Sequence, residues 1–360
     1  MESKPETPTA VQQKPNGFWG TVLTVTPIVM TVLATVFAGL SSSEMTKSMY
    51  YRSFAAQMQS KVGDQWSFFQ AKRIRGSLYE VAIDVIEGQS HPEPFDLAQI
   101  ETVTAQVAQL IERGGDPNDA VKVRQAREKI TKFLADSNQR QGLVYLAAGG
   151  LPSSEVKTPA NAETTKAIDA VFLAMSERKS NAEISPLILK LNEDMLDDAT
   201  RIAEQNADRF EKACDPTGDA AKRLRGLIGE LGKLLKSGRT PTAGRDAKAP
   251  REQAIALVEG LNTSFKSALL DFDSRRYRQD AAFNRRIAEI NEVRVRLASV
   301  ESDRRRERSV KFFISMLLAQ MGVTVASLAL ARSQHSVLWV CAASAGVAAM
   351  VVTGYGYLLT

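Results

Sequence analysis

The side chains that most readily do chemistry are scarce in this chain of 360 residues: it has two histidines, His91 and His335, and two cysteines, Cys214 and Cys341. Imidazole or thiolate metal sites need such ligands at close spacing, and these four are scattered. Both histidines fall in loop-like contexts and read as surface residues. Cys341 lies in a hydrophobic run and Cys214 in a polar helical region, so no disulfide is expected. The acids Glu193, Asp194, Asp197, Asp198, Glu204 and Asp208 could hold a divalent cation. Their spacing instead spreads them over the solvent side of a helix, with no glycine turn or histidine beside them. Phosphate-binding glycine loops and nucleophile elbows are absent, and Gly149-Gly150 reads as a turn. The sequence therefore predicts no enzyme, no cofactor and no metal.

Basic residues form the other conspicuous group. Arg275, Arg276, Arg278, Arg285, Arg286, Arg294 and Arg296 precede a denser cluster of Arg304, Arg305, Arg306, Arg308 and Lys311, in a chain of net charge +5. Acids such as Asp280, Glu289 and Glu292 are interleaved with the first set. Pairing with acids on neighbouring helices is the first reading. Attraction to anionic lipid headgroups is the second, worth about 1 kcal/mol per basic residue near the surface. It suits only the cluster from 304 to 311, taken as an anionic-lipid contact. Nucleic-acid binding ranks last, because no recognition motif accompanies the charge.

The elements that position these groups are set by hydropathy. Residues 18–40 carry no charge, and at about 1.5 Å per residue they can cross a hydrocarbon core of about 30 Å. Trp19 sits where an indole favours the interface. Thr21, Thr24, Thr26, Thr31 and Thr35 can donate to the helix backbone around Pro27. The run exceeds the usual signal-peptide core, so a retained span is expected. A second uncharged run covers 312–331, and a third covers 336–359 with Trp339 near its start. The turn between them is so short that the two must form a hairpin. Ala342 with Gly346, and Ala345 with Ala349, allow close helix approach. Gln320 is expected to face another helix.

Residues 41–88 read as a membrane-proximal helix after a flexible tail, 1–17. The module 89–249 reads as further helices. Leu97, Ile100, Val103, Val107 and Leu110 form one amphipathic stripe. Val123, Ala126, Ile130 and Phe133 form another. Residues 149–160 read as a loop, followed by a helix from Ala162 to about Arg178. Ile184, Ile188, Leu191, Met195, Ala199 and Ile202 read as one continuous stripe, and Pro216 as the start of a further helix. After a basic linker, Pro250 opens a long stalk helix, 250–311, that enters the second span. Its residues Phe283, Ile287, Ile290, Val293, Leu297 and Val300 suit packing in coiled-coil fashion. The expected fold is an all-α membrane protein: three transmembrane helices, one N-terminal and a C-terminal hairpin, with a long helical, coiled-coil soluble region. The basic cluster before the second span places that region in the cytoplasm of a multi-pass inner-membrane protein.

One segment has a distinctive texture: Asp64, Gln65, Trp66, Ser67, Phe68, Phe69, Gln70, Ala71, Lys72, Arg73 and Ile74. Trp66, Phe69 and Arg73 lie near one helical side, and Phe68 and Lys72 near another, so a helix junction packed on several sides is expected. Asp64 and Arg73 are candidates to pair with the returning helix or a neighbouring chain. On this motif the chain resembles an uncharacterised bacterial membrane family, domain of unknown function number 4337. The resemblance covers roughly 18–87 and 270–359, with about 90–250 as an insertion. It implies the same arrangement of spans and no reaction. The functional expectation is a membrane-anchored helical scaffold, self-associating as a homo-oligomer and presenting a cytoplasmic module to protein partners, with membrane lipids around it and no nucleic acid. The alternative is a subunit of an oligomeric channel or transporter, suggested by Gln320 and the threonines of the first span.

Overall fold

The structure, a computed structural model, describes residues 18–114, 117–153, 162–237, 248–331 and 337–358. The tail 1–17, most of the 149–160 loop, the linker 238–247, the turn that holds Arg332 and His335, and the side chain of Trp19 lie outside the described residues. Every described element is helical: α1 (Phe18–Ser90), α2 (Leu97–Gly114), α3 (Pro117–Ala135), α4 (Ser137–Ala148), α5 (Ala162–Ser176), α6 (Asn181–Ile188), α7 (Glu193–Ser237), α8 (Lys248–Ala331) and α9 (Val337–Leu358). Three of these, α1, α8 and α9, contain stretches long and apolar enough to cross a membrane.

Two helices are very long because nothing in their sequences stops them. Pro27 is the one proline within α1, its glycines are isolated, and it runs 73 residues to a left-handed His91, φ 41°. α8 runs 84 residues without a break and begins at Lys248, two residues before the expected Pro250. The chain divides into two compact units. One takes residues up to Met58 and from Arg294 onward, and the other takes Gln59–Val293.

In the first unit, α1, α8 and α9 pack through small residues. Ala319, Ala326, Ala329, Ala342 and Ala349 are buried with Ala34 and Phe37. The Met30 side chain occupies the space that Cβ atoms at Gly322 and Gly346 would fill: such an atom would lie 2.6 Å from its methyl at Gly322 and 2.9 Å from its sulfur at Gly346. Gln320 departs from expectation. It lies on the exposed side of α8, and its neighbour Ala319 is the residue turned inward.

The second unit holds a conventional apolar core from α2, α3, α4, α7 and the first part of α8. Ile100, Ile130, Leu143, Leu224, Phe265 and Phe272 are essentially inaccessible, each contributing roughly 1.5–3 kcal/mol by burial. The expected α2 and α3 stripes face this core. Asp136 begins a separate α4, accepting from the N–H groups of Asn138 and Gln139, and Gly149 ends it in the left-handed region, φ 62°. α4 crosses α7 closely at Gly142, where a Cβ would lie 2.8 Å from the Pro216 carbonyl oxygen. Arg251 donates from Nε to the Leu235 carbonyl at 2.9 Å, closing the end of α7.

Two helix boundaries differ from the sequence reading. The stripe from Ile184 to Ile202 is broken: α6 ends at Ile188, and α7 starts after Asn192, whose Oδ1 accepts from the Met195 N–H at 2.8 Å. Glu183 accepts from the Ser180 backbone and hydroxyl, fixing the start of α6. Conversely, Pro216 starts nothing. It lies inside α7, where Cys214, Thr217, Ala220 and Ala221 are buried on either side of it. That packing offsets the backbone hydrogen bond the proline removes.

Candidate functional site

The Asp64–Ile74 segment lies within α1 in the second unit, and one side of it faces α8. The Trp66 indole N–H donates to the Glu292 carboxylate, and its ring meets Phe69 edge-on with centroids 5.5 Å apart. Lys72 Nζ lies 3.2 Å from Asp280 Oδ2. One turn on, the Ser274 hydroxyl donates to the Gly76 carbonyl at 3.1 Å. Tyr79 and Tyr277 rings are 5.6 Å apart, and Glu80 pairs with Arg278. Residue numbers rise along α1 as they fall along α8, so within this unit the two helices run antiparallel.

The expectation of burial on several sides is not met. Gln65, Trp66, Phe69 and Lys72 are half-buried, whereas Asp64, Phe68, Gln70 and Arg73 are exposed. Lys72, not Arg73, shares the packed side with Trp66 and Phe69. Asp64 and Arg73 do not pair with the returning helix. Opposite the packed side, Ile74, Leu78, Val81 and Val85 recur at steps of four, three and four, and all are at least half exposed. This part of α1 is therefore apolar on two sides with one of them covered. The sequence reading missed this stripe because it followed the aromatic motif and stopped at its end.

Burial also shapes the electrostatics. It pushes the Glu292 carboxyl up, against the Trp66 hydrogen bond, and the charge of Glu289 adds to the rise. Burial likewise raises Asp273 above the usual carboxylate range, with Arg276 opposing. Cys214 is enclosed and its thiol is pushed up to about 11 by burial, which leaves it unreactive at neutral pH. Both cysteines are free. The arginines of the first basic set engage acids: Arg275 with Asp271, Arg276 with Asp215, Arg285 with Glu289, and Arg286 with Asp169 at 2.5 Å. Among the described residues no group of three ligating side chains could hold a metal.

The basic cluster belongs to the first unit. There α1 and α8 are joined by reciprocal serine pairs. Ser41 and Ser309 each donate to the other's carbonyl, at 3.0 and 2.9 Å. Ser48 and Ser302 do the same, both at 2.9 Å. Between the pairs, Arg305 reaches Glu44 at 3.1 Å. Burial raises the Glu44 carboxyl, but hydrogen bonds from Lys47 and Arg305 outweigh it and hold the group below the usual range. Arg304 lies 3.9 Å from Glu301. Lys311 pairs with Glu307 at 2.9 Å and stands 4.8 Å over the Tyr355 ring. Arg308 is half-buried, and Arg306 is exposed with no carboxylate partner among the described residues. The five cations expected to act alike are thus held differently. Trp339 is half-buried on α9.

Three threonines of the first span bond within their own helix, Thr24 donating to the Thr21 carbonyl at 3.3 Å. Thr31 donates to the Pro27 carbonyl at 2.8 Å and Thr35 to the Thr31 carbonyl at 2.9 Å.

Residues 19–143 match the model of a family described as "Domain of unknown function (DUF4337)". The matched stretch contains the Asp64–Ile74 motif and continues through α2 and α3 into α4, beyond residue 87, where the resemblance was expected to pause. It does not include 270–359. Neither a curated protein nor a solved structure matches the chain.

Proposed function

We propose that this chain, whose family domain names no activity, is a membrane-anchored helical scaffold that self-associates through α1 and presents its helical module to protein partners. The observation that carries the reading is the uncovered stripe of Ile74, Leu78, Val81 and Val85. A helix that is apolar on two opposite sides is stable in water when both are covered, and α8 covers one. The spacing of the stripe is that of a coiled-coil seam, so a second copy of α1 is the occupant we favour. The pairing of α1 with α8 would be of the same kind. The basic cluster at 304–311 supports a cytoplasmic placement of 41–311 in an inner membrane, with the tail outside and the C-terminus inside. The channel alternative draws less support, since the hydroxyls of Thr24, Thr31 and Thr35 donate to carbonyls of their own helix.

The test is the mass of the complex extracted in mild detergent, corrected for bound detergent, for the wild type and for Leu78→Glu with Val81→Glu. Self-association through the stripe requires a multimer that the double variant reduces to a monomer while keeping its helical content. A wild-type monomer, or a multimer indifferent to both changes, overturns it. Particles with an open centre would transfer the proposal to a conduit.

A further inference from the structure

In the first unit a groove of about 610 Å³ runs between α1 and α8 where the second apolar run begins. Its walls are mostly apolar and include Ala38, Met45, Val310, Phe313 and Met316. Val310 and Phe313 are 50% and 48% exposed, so the groove is open. The volume lies inside the range of roughly 300–1,000 Å³ common for small-ligand sites. The lining contains no acid and a single formal charge, Arg306.

The neighbours of Arg306 make that charge informative. Arg304, Arg305 and Lys311 each lie beside a glutamate of this chain, and Arg308 is half-buried and outside the lining of the groove. Arg306 is exposed and has no such partner among the described residues. Phe313 lies seven residues further along α8, about 10 Å nearer the middle of the span at 1.5 Å per residue. The groove therefore offers a cation at one end and an apolar trough running from it toward the hydrocarbon region. Phospholipid headgroups occupy this depth at the edge of the span. A guanidinium matches a phosphate in charge and in the geometry of its paired donors.

From this we infer that the groove is a seat for one anionic phospholipid, with its phosphate on Arg306 and an acyl chain along Val310, Phe313 and Met316. The inference rests on reading 18–40 and 312–331 as spans. It is independent of self-association, because every lining residue belongs to one chain.

The experiment uses the full chain in mild detergent, supplied with phosphatidylglycerol or phosphatidylcholine at equal mole fraction, and counts lipids retained per chain by native mass spectrometry. The expected result is about one phosphatidylglycerol per chain, reduced about tenfold or more by Arg306→Gln, in line with loss of a charged hydrogen-bonded contact. Val310→Trp, which fills the trough and keeps the charge, should remove retention as well. Arg304→Gln, at a cation already paired, should leave it unchanged. Equal loss in Arg304→Gln and Arg306→Gln would mean diffuse attraction to an anionic surface and overturn the site. Equal retention of the two lipids, or retention surviving Val310→Trp, would do the same. Thermal melts of each variant confirm that lost retention is not lost folding, since the three residues changed are on the surface or at its edge.

Discussion

The two units join the same pair of helices by different chemistry. In the first unit, α1 and α8 meet through alanines and Met30 lodged against Gly322, with the serine pairs and the Glu44–Arg305 ion pair beyond the apolar runs. In the second, they meet through Lys72–Asp280, Trp66–Glu292 and Tyr79–Tyr277. Apolar surroundings offer no hydrophobic drive between helices, so close backbone approach at small residues suits the apolar runs, and the serine pairs lie just beyond them. Water does offer that drive, and long amphipathic side chains can bury their stems while their tips find partners.

The largest effect is expected at a glycine whose neighbour cannot move. Gly142→Ala in the second unit sets a methyl 2.8 Å from the Pro216 carbonyl and should cost about 2–3 kcal/mol in a denaturant melt. Gly346→Ala meets the pliant end of Met30 and should cost about 1 kcal/mol or less. Equal losses would mean that Met30 is as fixed as backbone. Next, Lys72→Met should cost about 2 kcal/mol, because it strands the Asp280 carboxylate, whose side chain is only 7% exposed. Asp280→Asn should cost less, since Lys72 is 27% exposed and reaches water. The reverse order would show that the lysine is the buried partner.

These expectations use positions the sequence did not distinguish. The long helices and the α2 and α3 stripes were legible, because periodicity and the scarcity of proline and glycine determine them. Two boundaries were not. The apolar spacing runs on through Leu191 while the backbone stops at Ile188, since an Asn192 cap competes with continuation. Pro216 looked like a helix start, and the burial of Cys214 and Thr217 overrode it. Likewise Phe68 and Gln320 were expected to be covered because of their residue type. Which side of a helix is covered depends on the partner, and neither residue's type names that partner.

Smaller effects sharpen the contrast. Removing the hydroxyls of Ser48 and Ser302 together should cost about 1 kcal/mol per hydrogen bond lost, read as a lower melting temperature in detergent. No change would assign the first unit's cohesion to packing alone. The smallest effect is at Asp273. Burial raises its folded pKa, so the folded state binds the proton more tightly, and stability falls as pH rises from the ordinary carboxylate value through the folded one. Asp273→Asn should therefore melt slightly higher than wild type above that window, with the gain vanishing below it. A gain that persists at low pH would trace to something other than the charge.

The serine pairs have a further consequence for register. Ser41 and Ser48, like Ser302 and Ser309, are seven residues apart, so sliding α8 by one heptad along α1 would still match one serine with another. Serines alone do not choose between these alignments. Glu44 does: in the observed alignment it faces Arg305, and after a slip of seven residues in either direction it would face Ala298 or Phe312, both buried. A carboxylate set against either would keep only Lys47 of its own helix and lose its ion pair across the helices. A single ion pair thus acts as the index mark between serine contacts that repeat.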